Sequence, residues 1–133
     1  MAAKTIRQQV TIGASAHDVY EALMDSRKHA RFSGAAAKIS RKVEGAISAY
    51  GGYITGANLE LVPDKKIRQS WHAQDFPEGH NSEVIFSLSE SNGKTRIAFT
   101  HKDVPEASYA SIKQGWKDYY WTPMKKMLEK VEE

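Results

Sequence analysis

Along the chain, the alternation of apolar and polar positions changes period twice. From Lys4 to Ile12, Ile6, Gln8 and Val10 share one face against Thr5, Arg7, Gln9 and Thr11, and Gly13 closes the run. A period of two predicts a strand. Ser15 followed three residues later by Asp18 is a helix N-terminus signature, because side-chain oxygens satisfy the first free N–H groups. Val19, Tyr20, Leu23 and Met24 then recur at helical spacing, predicting a helix to about Met24. A second short helix or turn follows from Ser26 to Phe32 and ends near Gly34.

From Ala36 to Asp103 the period returns to two. The predicted strands are Ala37–Lys42, Ala46–Tyr50, Tyr53–Val62, Lys66–Ala73, Ser82–Ser89 and Thr95–Lys102. They are separated by Gly51-Gly52, Pro63-Asp64, Pro77-Glu78-Gly79 and Asn92-Gly93. Asn-Gly between alternating runs is a strong hairpin signal, since both residues tolerate positive φ. Short connections imply an antiparallel meander rather than parallel crossovers.

The last period switch comes near Pro105, opening a predicted long helix, Pro105 to Glu133, with Pro105 in its first turn. Ile112, Trp116, Tyr119, Tyr120, Pro123 and Met127 form one broad apolar face, and Pro123 should kink the rod. The expected fold is α+β: a curved antiparallel sheet of about seven strands around a long C-terminal helix. Two short helices follow the first strand, and residues 1–133 form one domain. No repeat or linker interrupts the chain.

Composition narrows the chemistry. The 133 residues are 41% hydrophobic and 26% charged, a globular balance. There is no cysteine, which removes thiol nucleophiles and thiolate metal sites. No apolar run reaches membrane-span length and the N-terminus lacks a leader's apolar stretch, so a cytoplasmic protein without membrane insertion is expected. A net charge of +3, with Lys113, Lys117, Lys125, Lys126 and Lys130 scattered among Asp118 and Glu129, gives no nucleic-acid signature.

Gly93-Lys94-Thr95 lacks the preceding glycine and following helix of a phosphate loop and reads as a hairpin turn. His72, His80 and His101 lack metal-ligand spacing, so no metal or cofactor is expected. No nucleophile–base pair or inward pair of carboxylates is seen, so no catalytic residue is assigned. The aromatics carry the signal. Gln69 and Trp71 share a face, as do Val84 and Phe86, and Phe99 and His101, and all should meet Trp116, Tyr119 and Tyr120. This set can be a packed core or the lining of an apolar cavity with Gln69, Tyr120 and His101 as polar handles. The candidate ligand-binding residues are Gln69, Trp71, Phe86, Phe99, His101, Trp116, Tyr119 and Tyr120.

Val19–Gly34, Gly52–Trp71, the Ser-x-Val-x-Phe-x-Leu stretch Ser82–Leu88, Gly93–His101, Val104-Pro105 and Gly115–Glu129 together carry a likeness over nearly the whole chain. The sequence resembles the C-terminal-domain family of activators of the heat-shock protein 90 ATPase, within the START-like helix-grip superfamily. That resemblance implies the helix-grip fold and two partners: an apolar or lipid-like small molecule in the cavity, or the heat-shock protein 90 chaperone. A cyclase-type enzyme is a further alternative from the wider superfamily. The sequence departs from the family at Gly45-Ala46-Ile47, where a Gly-Gly-x-aromatic pattern is expected. The co-chaperones carry a separate N-terminal chaperone-binding domain, for which 133 residues leave no room. The expectation is therefore a non-enzymatic binding domain, monomeric or weakly dimeric, with at most modest stimulation of the chaperone.

Overall fold

The computed structural model describes residues 3–129. Seven strands form one antiparallel sheet: β1 (Ala3–Ile12), β2 (Lys38–Ile39), β3 (Ala46–Ala49), β4 (Ile54–Val62), β5 (Lys66–Ala73), β6 (Ser82–Ser91) and β7 (Lys94–Pro105). Their order is β1-β7-β6-β5-β4-β3-β2, so β2 to β7 meander and the first strand pairs with the last. Asn92 and Gly93, at φ 54° and 76°, turn the β6–β7 hairpin, and Ser91 faces Lys94 across it. Of the predicted strand Ala37–Lys42 only Lys38 and Ile39 form the strand. After the Ser40 N–H donates to the Ala46 carbonyl the chain turns, with the Lys42 carbonyl accepting from the Gly45 N–H and the Ser40 and Lys42 carbonyls accepting from the Asn58 side chain.

Helices α1 (Ala16–Met24) and α2 (Ser26–Ser33) cross one end of the sheet. Ser15 caps α1 by accepting from the Asp18 N–H. Asp25 ends α1 and caps α2 by accepting from Lys28. Gly34 terminates α2 in the left-handed conformation at φ 79°.

The C-terminal helical arm lies against the apolar face of the sheet. Pro105 is the last residue of β7 rather than the first helical residue; Ala3 lies opposite it on β1, and the chain turns only after it. A 3-10 turn, Glu106–Ser108, leads into α3 (Tyr109–Trp116), a π-helical turn (Lys117–Trp121) and α4 (Thr122–Leu128). The predicted helix beyond residue 129 lies outside the described residues.

The irregularity predicted at Pro123 occupies the turn before it, and the reason is local. Pro123 has no N–H for the carbonyl four residues earlier, Tyr119, and its ring crowds that carbonyl. The Tyr50 hydroxyl donates to the Tyr119 oxygen instead, at 3.1 Å. The wider π turn also shifts the helical phase. Adjacent Tyr120 and Trp121 are both buried, whereas Tyr119, expected on the buried face, is 57% exposed. Gln8 on β1 fixes the arm to the sheet: it accepts from the Trp121 indole N–H at 2.6 Å and donates to the Lys113 carbonyl at 3.1 Å.

Candidate functional site

Between the arm and strands β4 and β5 lies a cavity of about 400 Å³. That is at the small end of the ~300–1,000 Å³ typical of small-molecule sites. Its lining is Tyr50, Tyr53, Ile54, Trp71, Ser111, Ile112, Gly115, Trp116, Tyr119 and Tyr120. Trp71 and Trp116 approach at 5.3 Å between ring centroids, and Trp116 and Tyr120 at 4.4 Å. Exposed Tyr53, Tyr119 and Ser111 mark the mouth. A larger hollow of about 780 Å³, lined by Phe76, His80 and Glu106 among others, lies away from this aromatic set.

Two backbone features shape the cavity. Tyr50-Gly51-Gly52 form a tight turn in which all three residues have positive φ, 53°, 65° and 97°. An aromatic residue seldom adopts that conformation, and here it sets the Tyr50 hydroxyl within reach of the arm's freed carbonyl. On β4, Gly56 faces Trp71 so closely that a Cβ there would fall 1.9 Å from the Ser70 carbonyl oxygen. Only glycine permits that approach, which seats Trp71 against the arm.

Of the eight residues singled out in the sequence, Trp71, Trp116, Tyr119 and Tyr120 line the cavity. Phe86 and Phe99 sit behind it: Phe99 packs on Trp116 at 4.3 Å and on Phe86 at 5.1 Å. Gln69 faces the opposite end, donating to the Asn58 side chain at 3.0 Å, and Asn58 in turn holds the Ser40 and Lys42 carbonyls.

His101 is fully buried under the two tryptophans and does not reach the cavity. The Trp116 indole donates to its Nδ1 at 3.0 Å. Ser82 donates to the Trp71 carbonyl, so it accepts from His101 Nε2, at 2.8 Å. The imidazole is therefore neutral with its proton on Nε2, and burial pushes its pKa down to about 3. Its role in the geometry is to hold Trp116. The residues that the aromatic pattern missed are Tyr50, Tyr53, Ile54, Ser111 and Gly115. The pair of tyrosines bracketing Gly51-Gly52 was the available signal.

Electrostatically the cavity is neutral. None of its lining side chains is acidic, basic or a histidine. Burial raises the Tyr50 and Tyr120 hydroxyls above their ordinary range. Tyr53 is pushed up to about 12, by burial first and then by donating to Asp75 at 2.6 Å. His72 donates to the His80 carbonyl and His80 to the Asp103 carbonyl, each at 2.7 Å, so both tie down the loop after β5. Among the described residues no three side chains are grouped to hold a metal ion, and no helix is long and apolar enough to cross a membrane.

A curved antiparallel sheet closed on one long helical arm defines a helix-grip domain. The chain belongs to the activator of Hsp90 ATPase homolog 1-like protein family, whose model matches residues 13–129. It is 29% identical over 120 residues to an uncharacterized protein of Schizosaccharomyces pombe, covering 90% of this chain and 36% of that one. To the mouse activator of 90 kDa heat shock protein ATPase homolog 1 it is 26% identical over 115 residues, covering 86% of this chain and 34% of the mouse protein. The chain thus spans about a third of the length of these relatives. In solved structures, an HSP90 activator from Plasmodium falciparum superposes with a TM-score of 0.89 at 22% identity, covering 97% of this chain and 99% of that one. CalU16 from Micromonospora echinospora superposes at 0.76 and 24% identity, covering 88% and 71%.

Proposed function

We propose that this chain is a non-catalytic binding domain that takes an uncharged, mostly apolar small molecule between its helical arm and its sheet. The observation that supports this most is the aromatic cavity of about 400 Å³ with no carboxylate, amine, guanidinium or imidazole on its walls. An apolar guest gains by leaving water there, at ~25 cal/mol per Å² of surface buried. A charged guest would lose its hydration with nothing to pair it. The nearest chemically versatile group, His101, is sealed off and has both ring nitrogens engaged, so the walls supply shape and contact rather than acid–base catalysis.

The test is a titration with N-phenyl-1-naphthylamine, an uncharged fluorescent probe. Saturable probe emission, with quenching of tryptophan fluorescence through Trp71 and Trp116, is the expected result. No response up to the probe's solubility limit would remove this reading.

Family membership supports a second reading, contact with the heat-shock protein 90 chaperone. The matched segment is only about a third of the mouse activator, and a single interface of ordinary size buries only ~800 Å² per partner. The expected result is modest stimulation of a cognate chaperone's ATP turnover, seen only at high micromolar protein. Unchanged turnover with no calorimetric binding signal would exclude it.

A further inference from the structure

The three indole N–H groups of the chain are not equivalent. Trp116 donates to His101 and Trp121 donates to Gln8. Trp71 donates to nothing among the described residues, although the residue is 93% buried, with 7% of its surface accessible. Among the described residues, no side-chain nitrogen or oxygen sealed from solvent lacks a partner. The Trp71 N–H therefore lies on the accessible edge of its ring, and the open space bordering that ring is the aromatic cavity.

Three tyrosine hydroxyls around the cavity are committed. Tyr50 donates to the Tyr119 carbonyl and Tyr53 to Asp75. His29 donates through Nδ1 to the Leu23 carbonyl, which leaves its Nε2 to accept from the Tyr120 hydroxyl at 2.9 Å. Apart from Ser111 and the Tyr119 hydroxyl, both exposed at the mouth, the Trp71 N–H is the one uncommitted side-chain donor among the described lining residues.

Building on the small-molecule reading above, we infer that the cavity selects neutral aromatic molecules carrying a hydrogen-bond acceptor, such as a carbonyl oxygen, which receives the Trp71 indole N–H. The aromatic walls supply stacking and edge contacts at ring-to-ring distances of 4.5–7 Å. Inside the mouth, the free N–H supplies polarity at one point only. A guest without an acceptor would cover that donor and leave it unpaired, and a buried unpaired donor is penalised.

Three naphthalenes test this by calorimetry: 2-acetylnaphthalene, its isosteric hydrocarbon 2-isopropenylnaphthalene, and 2-naphthoate. The ketone should bind about 3–10-fold more tightly than the hydrocarbon, the range expected of one net hydrogen bond. The carboxylate should bind at least ~10-fold more weakly than the ketone. Trp71→Phe keeps an aromatic ring and removes the donor, so the ketone and hydrocarbon should then bind within about twofold of each other. Equal affinity for the ketone and the hydrocarbon in the unmodified protein would overturn the inference without needing the variant. So would a ketone preference that survives Trp71→Phe, or preference for the carboxylate. Either of the first two results, with binding retained, leaves the small-molecule reading standing, whereas preference for the carboxylate also overturns its claim that the guest is uncharged. No binding of any of the three compounds removes both.

Discussion

Gly115 separates the stability of the arm from the use of its cavity. It sits in α3, two residues before the π-helical segment, and lines the cavity between Ile112 and Tyr119. A Cβ added there meets only the Tyr119 ring, at 3.7 Å, an ordinary van der Waals contact. The position is helical, and glycine in a helix costs ~0.8–1 kcal/mol relative to alanine. Gly115→Ala should therefore raise stability by about 1 kcal/mol, or roughly 3–5 °C in Tm for a chain of this length. Gly115→Leu gains the same helix propensity but projects its side chain into the volume a guest would fill. Its expected signature is retained or increased Tm with binding of N-phenyl-1-naphthylamine weakened at least ~10-fold, or ~1.4 kcal/mol. Thermal unfolding by circular dichroism and a parallel fluorescence titration read the two effects. A leucine variant that keeps its stability and binds the probe normally would refute the assignment of this cavity. An alanine variant less stable than the parent would refute the packing argument at Gly115.

Burial of neutral His101 makes the fold acid-sensitive. With a folded pKa of about 3 against an ordinary ~6.5, the unfolded chain binds the extra proton between those values. Stability is then complete above about pH 6.5 and falls by up to ~1.4 kcal/mol per pH unit as pH drops towards 3. Urea unfolding from pH 7 to 4 measures the slope, and a flat profile contradicts it. His101→Leu should weaken that slope while costing ~1–3 kcal/mol at pH 7, because Trp116 loses its acceptor; an unchanged slope argues against the assignment. Gly56→Ala should destabilise by at least ~1–3 kcal/mol, since the added Cβ meets the β5 backbone, and unfolding equal to the parent would contradict that. Tyr50→Phe should cost ~0.5–1.5 kcal/mol by leaving the Tyr119 carbonyl to water; its Tm checks this, and no change would show that the hydroxyl contributes nothing.

The sheet was legible because its signals are local. Period-two runs separated by Gly-Gly, Pro-Asp and Asn-Gly mark nearly every strand, and Ser15 caps α1 through its own neighbour Asp18. The arm was legible as a helix but not in its phase. The exposed Tyr119 and the buried Trp121 both follow from a carbonyl that Pro123 leaves free and that Tyr50 claims from 69 residues away. No spacing rule within the helix contains that contact.

The candidate site divides in the same way. Trp71, Trp116, Tyr119 and Tyr120 reach the cavity. Phe86, Phe99, Gln69 and His101 share their strand faces but lie deeper or at the other end. Alternation reports which face a residue occupies, whereas the arm's position along that face decides which residues border open space. The roles of Gly115 and Gly56 depend on side chains that are missing, so hydrophobic patterning is silent on both.

The most direct measurement of the central claim is the ¹⁵N–¹H spectrum of the protein titrated with 2-acetylnaphthalene. It resolves the three indole N–H signals separately from the backbone. The account predicts a saturable shift of the Trp71 indole signal and of the Gly115 and Tyr119 amides, with the Trp121 indole, held by Gln8, moving least. Shifts confined to residues away from the arm and strands β4 and β5, or no shift at saturating probe, would contradict it.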